Sequence, residues 1–351
     1  MRWLIAGRPH RKGARAAEYG TVLSTVWNAS RLRPQDSGGF YESYFQRANH
    51  PTRPLAFWIR YTALRLQGQP NGSCGELWAI YFDGETHSIT AVKETRPLSA
   101  CYFSPTNLDV RIGEAMLTDR ALHGAAASAS HRLQWSLDYG GHQSPLLLLP
   151  EPFYQRGFPK AKALVGTPNA IFTGTLTVDG RAIPIDGWRG SQNHNWGSRH
   201  TDSYAWGQVA GFDNAPDAFL ECSTAQIKLG PFWTPRLTLV VLRDEGEELA
   251  LNGLFQAARA SGAFDFFTWT IDTRSAQGRI SGRIHAPASA FVGLTYQNPS
   301  GGTKTCLNTK LASADLTVQR PGRPSRTLVT KHRAAFEILT DRKDHAIPIV
   351  A

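Results

Sequence analysis

Over much of this chain large apolar residues fall at every second position, and short Asp-Gly or Glu-Gly pairs stand where the alternation stops. Period-two alternation is the signature of strands with one face on a core, and glycine tolerates the positive φ of the tight turns that join them. Leu55, Phe57, Ile59 and Tyr61 recur in this way, while Trp58 on the opposite face predicts that both faces of this strand are partly covered. Residues 76–82 run into Asp83-Gly84 and apolar residues resume at Ile89, a hairpin. Residues 176–183 fold back through Asp179-Gly180, and residues 237–242 turn through Asp244-Glu245-Gly246 into 249–251. Residues 264–271 and 278–284 make a further pair. Helical periodicity is confined to short stretches near 115–122 and 254–260. The chain is therefore read as all-β and mainly antiparallel.

Its 351 residues suffice for two domains that each bury a core. The break is placed in residues 146–160, where Pro150, Pro152, Gly157 and Pro159 interrupt strand pairing. The expected division is an N-terminal extension over 1–30, flexible because it is basic and lacks alternation, a first domain over 31–160 and a second over 161–351. Each half then carries roughly 8–10 strands, enough to close a barrel and remove exposed edges, and a barrel of about eight strands is just wide enough for one small ligand.

The net charge of +10 raises the question of nucleic acid. Much of the excess sits in Arg2, Arg8, Arg11, Lys12 and Arg15 and in the Pro-rich loop at Arg320, Arg323 and Arg326, so nucleic-acid binding is not expected. A weak attraction to anionic lipid headgroups suits these clusters better. Cys74, Cys101, Cys222 and Cys306 form no CxxC pair, which points to a reducing compartment and away from a zinc site. The apolar run Trp3-Leu4-Ile5-Ala6 is too short for a signal-peptide core, and no run approaches a membrane span, so a cytoplasmic protein, touching membrane surfaces at most, is expected.

Against this background residues 187–200 stand out, because they pack amides, two imidazoles and two indoles between apolar strands. Unpaired, each buried polar group there would cost about 1–3 kcal/mol, so the segment reads as a site or its polar floor. Asn193, His194 and Asn195 suit a carboxylic acid or substrate oxygen, and Trp188, Trp196, Tyr204 and Trp206 offer π faces to positive charge. Glu221 interrupts an otherwise small or apolar strand. It is either a desolvated acid with a raised pKa, able to protonate an alkene or oxygen, or a solvent-facing residue on the outer side of the strand. Asp186 and Asp202 are rival acids, and Glu42 is expected to brace the first domain by pairing with Arg47 or Arg60. His194 and His200 lack a third ligand at metal-site spacing, so no metal is expected. Without GxSxG, GxGxxG or GxxxxGK[ST] motifs, hydrolase and simple nucleotide readings fall away.

Asn193-His194-Asn195-Trp196-Gly197, after Gly187-Trp188 and before the Trp206 strand, resembles the H-x-W-G signature of carotenoid 1,2-hydratase and AttH-like proteins. That group includes fungal survival-factor proteins and is similar to tocopherol cyclases and lipocalin-like Diels–Alderases. The resemblance implies two tandem lipocalin-like barrels, a lipophilic pocket, no cofactor, and roles for His194 and Trp196 in protonating an isoprenoid double bond. The Tyr-x-Asp pair that accompanies the motif has no counterpart; the stretch at comparable distance reads Glu221-Cys222-Ser223, from which Glu221 could supply the acid from a shifted position.

Two functions are expected to compete. One is a hydratase, cyclase or isomerase in which His194, Trp196 and Glu221 act on an isoprenoid-like or polyene substrate held by Trp188, Asn193, Asn195, Tyr204 and Trp206. The other is a non-catalytic carrier of lipophilic molecules, in which the His194 segment is a hydrogen-bonded plug. A carrier needs no acid facing the cavity.

Overall fold

A computed structural model describes residues 27–33 and 35–351. The first sheet contains β1 (Phe40–Asn49), β2 (Leu55–Arg65), β3 (Cys74–Asp83), β4 (Ser88–Pro97), β5 (Cys101–Phe103) and β6 (Asp109–Ile112). It continues with β7 (Ala115–Thr118), β8 (Ala121–Ala127), β9 (Arg132–Gly140), β10 (Leu146–Leu147), β11 (Ala161–Val178) and β12 (Arg181–Gly197). Its order is β4-β3-β2-β1-β12-β11-β9-β8-β7-β6-β5, with β10 paired to β11, and every pairing is antiparallel. The sheet curls into a nearly closed barrel, and the Ala127 N–H donates to Glu94 across the gap between β8 and β4 at 3.3 Å.

The second half supplies β13 (Ser203–Phe212), β14 (Ala215–Gln226), a small hairpin of β15 (Lys228–Leu229) and β16 (Phe232–Trp233), β17 (Leu237–Asp244) and β18 (Glu247–Leu251). After a short helix, Leu254–Arg259, come β19 (Ser261–Asp265), β20 (Thr268–Ser275), β21 (Gly278–His285), β22 (Val292–Gln297), β23 (Thr303–Gln319) and β24 (Arg326–Thr340). The order β18-β17-β14-β13-β24-β23-β21-β20-β19, with β22 on β23, wraps a core that includes Val209, Leu220, Val240, Trp269 and Phe336. The chain is thus all-β, two tandem antiparallel barrels.

Two of the three predicted Gly-containing turns adopt a left-handed backbone at both central residues, whereas the turn after Asp83 spans residues 84–87 and takes its positive φ at His87, 56°. Asp179 and Gly180 have φ of 50° and 85°, and Glu245 and Gly246 of 55° and 76°, the arrangement that matches strand twist in a two-residue hairpin.

Several expectations need correction. The break at 160/161 is displaced: β11 and β12, expected in the second domain, complete the first barrel, and the chain crosses over after Gly197. The prolines of residues 146–160 break pairing locally, but β11 returns to lie between β9 and β12 and so closes the same sheet. The helical expectation at 115–122 fails because Ala115 and Leu117 are buried alternately on a strand, which turns into β8; that at 254–260 holds. Residues 264–271 are themselves a hairpin, turning at Phe266 and Phe267 between β19 and β20. Residues 1–26 of the expected extension lie outside the described residues. Its last positions are packed rather than flexible, since Asn28 and Ser30 are buried and Asn28 Nδ2 donates to Gln192 Oε1 at 2.8 Å.

The barrels stand back to back. Trp58, Trp78, Ile80 and Phe82 on the outer face of the first pack against Leu294, Tyr296, Cys306 and Leu339 of the second. A further band joins Leu146, Leu148 and Val165 to Ala210, Phe219 and Val241. Strands at this junction are therefore buried on both faces, as Trp58 predicted.

Candidate functional site

Strand alternation divides the polar segment between two places. Successive side chains of a strand point to opposite faces, so Trp188, Gln192, His194 and Trp196 of β12 share one face, while Ser191, Asn193 and Asn195 share the other. Trp188 lies in the core of the first barrel, 6.0 Å from the Phe57 ring. Asn193 and Asn195 turn outward to the junction, where Asn193 Oδ1 accepts from Gln208 Nε2 at 2.8 Å and Asn195 Oδ1 from Ser43 Oγ at 2.5 Å.

On the inner face, His194 and Glu42 form a buried pair at one end of the first barrel. His194 Nε2 faces Glu42 Oε1 at 2.9 Å, its Nδ1 faces the Trp27 carbonyl at 3.0 Å, and its ring stacks on Tyr44 with centroids 4.2 Å apart. Both ring nitrogens are thus engaged, which fixes the ring on both sides. Glu42 also accepts from Ser30 Oγ at 2.5 Å and from the backbone N–H groups of Arg31 at 2.7 Å and Leu32 at 3.1 Å. Burial works to raise the Glu42 pKa. The hydrogen bond and charge of His194, the Ser30 hydroxyl and the Arg31 N–H outweigh it and hold the carboxyl below the usual range. The expected pairing of Glu42 with Arg47 or Arg60 is overturned: Glu42 sits on the inner face of β1, whereas Arg47 points outward and bonds Gln208 at 2.7 Å. Trp196 packs with Tyr154 and Leu164 beside this pair.

The outer face opens on a cavity of about 210 Å³ between the barrels. Its wall includes Phe45, Trp58, Leu148, Leu164, Tyr204, Trp206, Leu237, Leu239 and Tyr296, and also Asn193, His194, Asn195 and Glu221. Trp188 and Trp196 are not part of this wall. Glu221 is buried on the junction face of β14. The solvent-facing alternative is overturned, because the first barrel covers what would be the outer side of that strand. Trp206 Nε1 donates to Glu221 Oε1 at 2.7 Å and Gln208 Nε2 to Oε2 at 2.8 Å. Burial outweighs these two neutral donors and the more distant charge of Arg47, and pushes the Glu221 pKa up to about 7. Such a carboxyl holds a proton about half the time near neutrality, the condition for a general acid or base.

The other candidates are placed elsewhere. His200, in the crossover after β12, stacks on Tyr41 at 4.0 Å, and burial lowers its pKa to about 3, so it is a neutral ring in the cavity wall. Asp202 is held by Arg199 and the Lys228 N–H, and Asp186 is exposed at a separate polar cavity of about 610 Å³ at an end of the first barrel. Among the described residues no group of three or more His, Cys, Asp or Glu side chains could hold a metal ion.

Sequence reasoning missed the rest of the junction. Gln208 ties Glu221 to Asn193, Ser191 and Arg47. Glu337 Oε1 accepts from Lys310 Nζ at 2.7 Å and Asn308 Nδ2 at 2.8 Å, all buried. The signal available was polar residues on the nominally outer face of strands, which look solvated until a second barrel covers them.

No family profile matches the chain. Two uncharacterized proteins of Mycobacterium tuberculosis, MT0513 of strain CDC 1551 / Oshkosh and Rv0493c of strain ATCC 25618 / H37Rv, are each 26% identical over 313 residues, covering 87% of this chain and 88% of theirs. Among solved structures, the Nitrosomonas europaea protein NE1406, provisionally assigned as an AttH, superposes with a TM-score of 0.56 at 11% identity, over 89% of this chain and 98% of that one. Kievitone hydratase from Nectria haematococca gives 0.52 at 12% identity, over 91% and 92%. CghA gives 0.51 at 12%, over 90% and 94%. The resemblance read from residues 193–197 therefore holds at the level of the fold: this chain has the tandem-barrel, lipocalin-like fold of the hydratase and AttH-like proteins.

Proposed function

We propose that the chain is a cofactor-independent enzyme of the hydratase, cyclase or isomerase type, acting on a lipophilic, isoprenoid-like or polyene substrate in the cavity between the barrels. The observation that carries this reading is Glu221, a buried carboxyl in an apolar wall with its pKa near 7. In its protonated form Glu221 donates to a substrate double bond or oxygen. The faces of Trp206, Tyr204 and Phe45 then stabilise the positive charge that develops. Water, or an internal nucleophile of the substrate, completes the reaction, and loss of a neighbouring proton would instead complete an isomerisation. His194 has both nitrogens engaged and serves as a positioning residue for β12. The kinship in fold with a protein named kievitone hydratase supports the reaction class.

The same engagement of His194 favours a second reading, a carrier with a hydrogen-bonded plug, in which Glu221 is merely structural. Contact with a lipid surface fits either reading: Phe158 and Leu254 are exposed in the cavity wall, with Phe232, Trp233 and Phe255 exposed nearby in the chain. Among the described residues no helix is long and apolar enough to cross a membrane.

The test begins with native mass spectrometry for a co-purified apolar molecule. That molecule, together with a panel of isoprenoid alkenes, is then incubated in ¹⁸O-labelled water and, separately, in D₂O. Enzymatic hydration adds one labelled water, cyclisation or isomerisation exchanges deuterium into carbon, and Glu221→Gln abolishes both. Bound cargo with no label in any product overturns the enzyme reading and leaves the carrier, and turnover unchanged in Glu221→Gln overturns the role of Glu221 as the acid.

A further inference from the structure

Three successive positions on the junction face of β2, Trp58, Arg60 and Thr62, each present a buried polar atom with no hydrogen-bond partner among the described residues: Trp58 Nε1, Arg60 Nε and Thr62 Oγ1. Trp58 and Arg60 form part of the wall of the same cavity as Glu221. Buried polar groups are almost always paired, and a run of three on one face is exceptional. Indole and guanidinium nitrogens can only donate, so the missing partner is an acceptor.

Its charge follows from Arg60. Arg60 is 4% exposed, and its guanidinium lies over the Tyr296 ring, 4.5 Å from its centroid. Among the described residues it makes no hydrogen bond, and no carboxylate comes within 4.0 Å. The acids nearest in influence are engaged elsewhere: Glu76 pairs with Lys93 at 2.8 Å and Glu337 with Lys310 at 2.7 Å. The neighbouring rings and more distant carboxylates favour its charged form but leave its N–H donors unmet, and guanidinium geometry matches a carboxylate.

We propose that Arg60, flanked by Trp58 and Thr62, is the head-group site of this cavity, and that the ligand is an amphiphile whose carboxylate meets Arg60 while its apolar chain extends along the wall towards Glu221. This rests on the proposed use of the cavity but not on catalysis at Glu221. It adds a substrate class, acids with one long apolar chain, and makes Arg60 a specificity-determining residue.

The probes are decanoic acid, methyl decanoate and decan-1-ol, their binding followed by tryptophan fluorescence, since Trp58 and Trp206 form part of the cavity wall. Wild-type protein is expected to bind the acid about 30-fold or more tightly than the alcohol or ester, the low end of what a buried charge pair is worth. Arg60→Gln removes that preference and leaves the Kd of decan-1-ol within about threefold. Arg60→Lys, which keeps the charge, retains part of the preference and guards against misfolding of the first variant; thermal unfolding is recorded for both. Acid and alcohol bound equally by wild type, binding of none of the three, or an acid preference that survives Arg60→Gln overturns the proposal. Arg60-dependent acid binding with no turnover of any probe by the wild type sinks only the enzymatic reading.

Discussion

Glu42 and Glu221 are both fully buried carboxyls, yet their environments drive them in opposite directions. At the end of the first barrel, Glu42 is met by the His194 ring, a hydroxyl and two backbone N–H groups and is held as a carboxylate. In the cavity between the barrels, Glu221 is met by one indole and one amide N–H, both neutral, and rises to about 7. Burial is the largest single influence on each. The difference lies in the number and charge of the donors, so an acid suited to chemistry is one that is desolvated but incompletely compensated.

Replacement of each acid by its amide should separate the two roles. Glu221→Gln should lower kcat about 10²–10⁴-fold, the usual contribution of a general acid, without loss of stability, as steady-state kinetics and denaturant melts would register. Glu42→Gln should do the reverse and cost about 3–5 kcal/mol of stability, because it leaves His194 without its buried counter-charge. Equal losses of activity and stability in both variants would erase the distinction.

The pH dependence of stability offers a finer contrast. Glu221 has a folded pKa above its unfolded value, so the native state holds the extra proton between about 4.5 and about 7. Its contribution is present below 4.5, is lost as pH rises through that window and amounts to roughly 3 kcal/mol. Glu42 has a lowered folded pKa, so its contribution is present above the ordinary carboxylate range and is lost as pH falls through the folded value. Unfolding free energies measured across pH should therefore flatten between 4.5 and 7 in Glu221→Gln and flatten on the acid side in the Glu42 variant. An unaltered pH slope in Glu221→Gln would mean that the carboxyl titrates normally.

The smallest effect should come from Trp206→Phe, which removes one N–H donor to Glu221 and keeps an aromatic face. Loss of a bond worth about 0.5–1.5 kcal/mol to the ionised form should move the alkaline limb of the rate profile up by about 0.4–1 pH unit. A limb that stays in place would remove Trp206 from control of the acid.

The strands were legible because alternation is a local property: the pattern at Leu55, Phe57, Ile59 and Tyr61 and the Asp179-Gly180 turn demand a half-buried strand and a hairpin wherever they sit. Glu221 was legible as an anomaly in an apolar strand, though not its direction. The segment at 187–200 was recognised as special, but its members were taken together when alternation sends His194 and Trp196 to one face and Asn193 and Asn195 to the other. Arg60, Gln208, Lys310 and Glu337 went unseen because polar side chains on an outer face carry no local mark of burial.

The amino-acid sequence by itself determined the all-β character, the tight turns, the fold kinship carried by residues 193–197 and the presence of an odd acid at 221, all of which arise from neighbours along a single strand. Only the tertiary structure decided that β11 and β12 belong to the first barrel, that Glu42 is the partner of His194, and that Glu221 and Arg60 share one wall. Those facts depend on which strands pair across more than a hundred residues of chain and on one barrel excluding water from the back of the other, and the desolvation that raises the acid at 221 exists only once both barrels have closed together.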